Sequence, residues 1–183
     1  MIQNLLVDCK PLSGWEDPLL DQIEVTYNES FPEAERRDFS LVRELLRTNP
    51  LFSITALTKE GQYAGFISSW RLEGFTYLEH FAIEPAFRKG GIGGTVMKKF
   101  MDAYCKSPVV LEVELPNEEM SKRRIGFYQR LGFIYDSHTY FQPPYRAGEP
   151  MLELRLMTRG DIDMEASFEH VKRSIHKEVY GFE

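Results

Sequence analysis

Between Phe87 and Val96 the chain reads Phe-Arg-Lys-Gly-Gly-Ile-Gly-Gly-Thr-Val, so the basic pair Arg88 and Lys89 runs into four glycines within five positions. Glycines let a backbone turn with its N–H groups exposed, and a helix starting near Ile92 adds unpaired donors and the positive end of its dipole. That combination suits a pyrophosphate. Spacing then separates the phosphate loops. A dinucleotide fingerprint needs a third glycine three places after the second, but the position three beyond Gly93 is Val96. A nucleotide-triphosphate loop closes on Gly-Lys-Ser/Thr, and none follows Gly94. Both readings are disfavoured.

Other reactive residue types are scattered. Cys9 and Cys105 are too few for a disulfide framework, and neither they nor His80, His138, His170 and His176 stand at zinc-site spacing, so no metal is predicted. The net charge of -6 over 183 residues gives no broad footprint for nucleic acid or an anionic membrane. No apolar run approaches the roughly 20 residues that span a bilayer. The N-terminus, Met1 to Lys10, lacks a basic start followed by a long apolar stretch, and a cytoplasmic protein is expected.

The elements that must position the glycine segment follow from periodicity. With 43% hydrophobic and 27% charged residues, the chain predicts one domain over residues 1–183. Asp17-Pro18 marks a helix start, with Leu20, Ile23 and Tyr27 on one face and a stop before Pro32. A second helix is predicted over Ala34 to Arg47. Strand patterns follow at Leu51 to Thr58, Tyr63 to Trp70 and Phe75 to Ile83, the first two joined by a Lys59-Glu60-Gly61-Gln62 turn. Apolar residues then return at helical intervals from Ile92 to Lys106. In the strand from Val109 to Leu115, Glu112 and Glu114 share one face. Asn117 caps a helix through Leu131, with Gly132 as its stop. Strands over Phe133 to Phe141 and Met151 to Met157 flank a loop from Gln142 to Pro150, and a last helix lies within residues 161–183.

Arg88-x-x-Gly91-x-Gly93, after a strand ending in Phe81-Ala82-Ile83 and before a helix, resembles the signature of the GNAT superfamily of acetyl-CoA-dependent N-acetyltransferases. The run from Arg124 to Phe133 is similar to that family's later helix, in which a Phe-Tyr pair, here Phe127-Tyr128, is followed by Gly-Phe, here Gly132-Phe133. The resemblance covers roughly Leu51 to Met157. It implies a mixed α/β fold with a central, mostly antiparallel twisted sheet of six to seven strands. It also implies that acetyl-CoA lies in a V-shaped opening between the strands Phe75 to Ile83 and Val109 to Leu115. Where many members carry Asn seven residues before the helix tyrosine, this chain has Ser121.

By that resemblance, the backbones of Phe81, Ala82 and Ile83 accompany the pantetheine arm. Arg88, Lys89, Gly90, Gly91, Ile92, Gly93, Gly94 and Thr95 hold the pyrophosphate. Tyr128 is the general acid for the departing thiolate, a phenol being a donor at neutral pH. The acceptor ammonium must also lose a proton before it can attack. Glu79 is the first candidate base, since period two places it with Tyr77 and Phe81 on one face of the coenzyme strand. His80 points to the other face, where a buried, hydrogen-bonded imidazole is expected. Glu112 and Glu114 are alternatives as base or as attractors of a cationic amine. Tyr27 and Phe31 at the first helix end, Glu114, and Tyr145 in the long loop are candidate acceptor contacts. The expected partner is a small-molecule or peptide amine, with a homodimer as a possible assembly and neither nucleic acid nor membrane. The rival reading is a non-catalytic acyl-CoA-binding sensor or subunit.

Overall fold

The elements along the chain are β1 (Val7–Pro11), α1 (Leu20–Ser30), α2 (Phe39–Thr48), β2 (Phe52–Lys59), β3 (Gln62–Leu72), β4 (Phe75–Ile83), α3 (Ile92–Tyr104), β5 (Val109–Glu114), α4 (Glu119–Arg130), β6 (Ile134–Tyr135), β7 (Tyr140–Gln142), β8 (Leu152–Arg159) and α5 (Met164–Tyr180). The computed structural model describes residues 6–182. The strands form one eight-stranded sheet in the order β1-β2-β3-β4-β5-β8-β6, with β7 also paired to β8. The sheet is mostly antiparallel, and the β4–β5 pair is parallel. By contact the chain divides into two compact units, residues 6–69 with His80–Lys106, and Trp70–Glu79 with residues 107–182.

In the first unit, β2 and β3 are joined by the two-residue turn Glu60-Gly61, both with positive φ (53° and 78°), the geometry that matches strand twist in a tight hairpin. α1 and α2 bury Ile23, Tyr27, Phe39 and Val42, while α3 buries Ile92, Val96, Met97, Phe100 and Met101 at helical spacing. Full burial of each large aliphatic contributes about 1.5–3 kcal/mol before entropy is charged against it. The far end of α3 is tied to β1, where the Tyr104 hydroxyl donates to the Cys9 carbonyl at 2.9 Å. Gly65 is required by close approach, because a Cβ there would stand 2.1 Å from the Ala82 carbonyl oxygen on β4.

In the second unit, β5 is held parallel to β4 through Thr76↔Val109, Tyr77↔Val110 and Leu78↔Leu111, and antiparallel to β8 from Val109↔Arg159 to Glu114↔Leu154. α5 presents Met164, Phe168, Val171, Ile175 and Val179 as one buried stripe. The Asp163 side chain caps it by accepting from the Glu165 N–H at 3.0 Å.

Several expected boundaries shift for local reasons. α1 starts at Leu20 rather than at Asp17-Pro18, because the Asp17 carboxylate folds the preceding segment onto itself, accepting from the Ser13 N–H, the Ser13 hydroxyl and the Leu19 N–H. α2 starts at Phe39 rather than Ala34. A separate 3-10 turn occupies Glu33–Glu35, and the Arg37 N–H is taken by the Tyr27 hydroxyl at 2.9 Å. Glu118, not Asn117, caps α4, in a capping box with Ser121. The expected strand Phe133 to Phe141 is two short strands, β6 and β7, separated by a turn in which Asp136 accepts from the His138 N–H. That split and β1, which periodicity missed, raise the strand count from six or seven to eight.

Candidate active site

The first unit carries the glycine segment. β4 ends at Ile83, and a 3-10 turn over Pro85–Phe87 follows, closed by the Phe87 and Arg88 N–H groups on the Glu84 and Pro85 carbonyls. Arg88 turns its Nε back to the Ile83 carbonyl at 2.8 Å, fixing the guanidinium beside the strand end. Gly90 (φ 93°) and Gly91 (φ 74°) take left-handed conformations, and nothing lies within 4 Å of where their Cβ atoms would stand. Gly91 is the N-cap of α3, whose first backbone bond runs from Thr95 N–H to the Gly91 carbonyl at 3.4 Å. From Lys89 through Gly94 no backbone N–H meets an acceptor among the described residues. Six successive free donors at the positive end of a 13-residue helix form an anion cradle, and they fit a coenzyme pyrophosphate.

His80, in the same unit, is buried in its expected state. Its N–H donates to Ser68 Oγ at 3.1 Å, its Nε2 lies 3.1 Å from the Glu35 carbonyl, and its ring packs edge-on to Tyr27 and Phe31. Tyr27 is a core residue, 2% exposed, among Phe31, Phe39, Phe66 and His80. Phe31 is partly exposed and covers His80 at 4.5 Å between ring centroids. Between the two, Phe31 alone has the surface to meet an acceptor.

The second unit carries the carboxylates. Alternation along β4 leaves Glu79, Phe81 and Ile83 partly exposed and buries His80 and Ala82, as the period-two reading expects. Glu79 Oε2 accepts from the Trp70 indole N–H at 2.8 Å, and Oε1 accepts from the Tyr145 hydroxyl at 3.0 Å. Tyr145, expected only as a pocket wall, is thus brought onto the candidate base. Trp70 gave no sequence signal, because a tryptophan in a strand pattern reads as core.

Glu112 is not on a solvated sheet face. It accepts from Tyr140, from Gln142 Nε2 at 2.6 Å and from the Tyr180 hydroxyl at 2.9 Å. Burial pushes its carboxyl up from the ordinary value, and these donors pull in the opposite direction. Burial also holds Tyr77, Tyr140 and Tyr180 well above the ordinary phenol range, so their hydroxyls keep their protons. Glu114, by contrast, pairs with Arg124 Nη1 at 3.1 Å, and both groups are about half exposed.

Tyr128 lies on α4 against Phe127 and Phe133, at 5.2 and 5.5 Å between ring centroids. The helix ends beside it, with the Leu131 and Phe133 N–H groups both on the Tyr128 carbonyl. Burial pushes its hydroxyl up to about 12, against the lowering effect of Arg124. That hydroxyl meets no partner among the described residues. No fully buried side-chain polar atom there is left unpartnered, so the hydroxyl keeps some access to solvent. Ser121, seven residues earlier, is spent on the capping box and does not stand in for an amide.

Among the described residues no three His, Cys, Asp or Glu side chains gather as for a metal ion, and no helix is long and apolar enough to cross a membrane. The family model "Acetyltransferase (GNAT) family" matches residues 15–133. A GNAT-family protein from Bacteroides thetaiotaomicron is 37% identical, with a TM-score of 0.91 over 96% of this chain and 99% of that one. The fold is shared at lower identity with two further proteins. The ribosomal-protein-S18-alanine N-acetyltransferase of Escherichia coli is 18% identical, with a TM-score of 0.60 over 84% of this chain and 93% of that one. Arabidopsis thaliana Naa50, solved with a CoA-peptide bisubstrate analogue, is 18% identical, with a TM-score of 0.60 over 85% and 99%. A search of curated proteins finds no match. The anion cradle, the parallel β4–β5 pair and these likenesses agree: the chain belongs to the GNAT family of acetyltransferases, enzymes that draw their acetyl group from acetyl-CoA.

Proposed function

We propose that the protein transfers acetyl directly from acetyl-CoA to a primary amine, with Glu79 as base and Tyr128 as acid. The coenzyme supplies an acetyl group activated as a thioester. The free donors from Lys89 to Gly94, with Arg88 beside them and Thr95 in the first turn of α3, hold its pyrophosphate, and the backbones of Phe81, Ala82 and Ile83 accompany its arm. Glu79 takes the ammonium proton at a carboxylate oxygen, which leaves nitrogen with the electron pair needed for attack. As the C–N bond forms and the C–S bond breaks, the nitrogen sheds its second proton to solvent to become the neutral amide, and Tyr128 gives its Oη proton to the departing sulfur and regains one from solvent.

The observation that carries this reading is the pair of oriented groups: a carboxylate held by two aromatic donors, and a phenol whose hydroxyl is left unspent. Tyr145 and Phe31 border the acceptor in this reading, and Glu114, half exposed, adds negative potential for a cationic amine. A small amine and a peptide N-terminus are the acceptor classes to test. The experiment is thiol release from acetyl-CoA across a panel of polyamines, aminoglycosides and short peptides, beside calorimetric titration with acetyl-CoA. Acceptor-dependent release supports the reading. Micromolar binding with no release on any amine would favour a sensor in its place.

A further inference from the structure

Glu112 belongs to none of the roles above, yet it gathers three side-chain donors. The Tyr140 hydroxyl serves Oε1, while Gln142 Nε2 and the Tyr180 hydroxyl serve Oε2. The donor inventory closes around it. Gln142 spends one amide hydrogen on Glu112 and the other on the Tyr180 oxygen at 2.8 Å. Tyr180 spends its own proton on Glu112, and the Tyr77 hydroxyl stands 3.3 Å from Tyr180. No lysine, arginine or histidine among the described residues pairs with this carboxylate. A carboxylate so placed, with three neutral donors and no cation, is expensive to keep ionised and pulls hard on every donor it has.

What it pulls on is the last turn of α5. Tyr180 is the final residue of that helix, and its ring packs against Tyr145 at 5.1 Å between centroids. Tyr145 in turn places its hydroxyl on Glu79 Oε1. The β4–β5 ladder ends at the Leu78↔Leu111 pair, one residue before Glu79 on β4 and Glu112 on β5, so side chains and not the ladder make the connection.

We propose that Glu112 is a positioning residue for acetyl transfer: it fastens Tyr180 by its hydroxyl, Tyr180 backs Tyr145, and Tyr145 holds the Glu79 carboxylate in place. The inference rests on Glu79 having the role proposed above only for its effect on rate. Its structural half stands by itself.

Trp70 offers a reporter, because its indole N–H donates to the other oxygen of Glu79 and the chain has only one further tryptophan, Trp15. In a ¹⁵N-labelled protein the two indole signals are resolved and assigned with a Trp15→Phe variant. Tyr145→Phe sets the displacement of the Trp70 signal when the Glu79 contact is lost. Glu112→Leu and Tyr180→Phe should move that signal in the same direction, Glu112→Gln should restore it toward wild type, and Glu112→Leu should add nothing on a Tyr145→Phe background. A Trp70 signal that stays at its wild-type position in folded Tyr180→Phe and Glu112→Leu, or full additivity with Tyr145→Phe, would overturn the proposal. If Glu112→Leu does not fold, Tyr180→Phe decides, since it keeps the ring and removes only the fastening. Failure of the base assignment is separate: Glu79→Gln would then release thiol at the wild-type rate while the Glu112 and Tyr180 variants still displace the indole signal.

Discussion

The Tyr145 hydroxyl donates to Glu79 Oε1 at 3.0 Å, across 66 positions of sequence. With the Trp70 indole on the other oxygen, this bond fixes the orientation of the Glu79 carboxylate on β4. In the proposed mechanism this oriented carboxylate takes the proton of the acceptor nitrogen. Glu79→Gln should lower kcat/KM for the acceptor roughly 10²- to 10⁴-fold with little change in acetyl-CoA affinity. Tyr145→Phe should cost less and act mainly on kcat, as loss of orientation does. Steady-state kinetics beside calorimetric titration separates the two.

Tyr128→Phe removes only the hydroxyl and keeps the ring between Phe127 and Phe133, so stability should change little while kcat falls roughly 10²-fold. The sign of the alkaline behaviour follows from burial, which pushes the phenol up to about 12. The donor form therefore persists through the ordinary phenol range and is lost only as pH rises through that higher value. A kcat profile should show no Tyr128-dependent fall below about pH 11. An alkaline fall near pH 10 that disappears in the Phe variant would contradict this.

Gly91 holds the left-handed N-cap of α3, with open space where its side chain would be. Gly91→Val strains the backbone by roughly 1–2 kcal/mol and fills the mouth of the cradle. Acetyl-CoA binding should weaken at least tenfold by calorimetry, with the melting temperature only slightly lowered. Arg88→Ala should weaken binding less and make what remains less sensitive to salt.

Gly65→Ala tests a packing requirement. The new Cβ would lie 2.1 Å from the Ala82 carbonyl oxygen, so β3 and β4 must separate there. Destabilisation of roughly 2 kcal/mol or more is expected, read as a lower denaturant midpoint at unchanged slope. Coenzyme affinity should fall with it, since Ala82 lies on the strand that leads into the cradle.

Asp17 supplies a pH-dependent term. Burial raises its carboxyl, but the Ser13 and Leu19 donors and the nearby Lys10 charge outweigh this and hold it below the ordinary value. A native acid titrating below its unfolded counterpart contributes stability that is complete above the unfolded value and is lost as pH falls through the native one. Asp17→Ala should therefore cost about 1 kcal/mol at neutral pH, and the gap from wild type should close only below about pH 4. Urea melts at pH 7 and pH 3 check the difference.

The legible parts of this protein are those that depend on short spans of chain. β4 has the bounds that its alternation predicts, and α3 starts at Ile92 because the glycines before it end any regular structure. His80 is buried and Glu79 lies on the opposite face because period two leaves no other choice. β1 was invisible because five residues with only one buried apolar side chain carry no pattern. Its existence depends on pairing with β2, some 50 residues away.

By itself, then, the sequence determined most of the helices and strands, the glycine turn ahead of α3 and the family signature, since each rests on backbone conformation or on motifs read within one or two elements. Only the tertiary structure decided what the carboxylates do. Glu112 and Glu114 occupy equivalent alternating positions on β5, yet one is ringed by hydroxyls from β7 and α5 while the other pairs with an arginine of α4. The difference lies in which distant side chains arrive above each position. Hydrogen bonds spanning 28 to 68 residues leave no periodic trace in the chain that makes them.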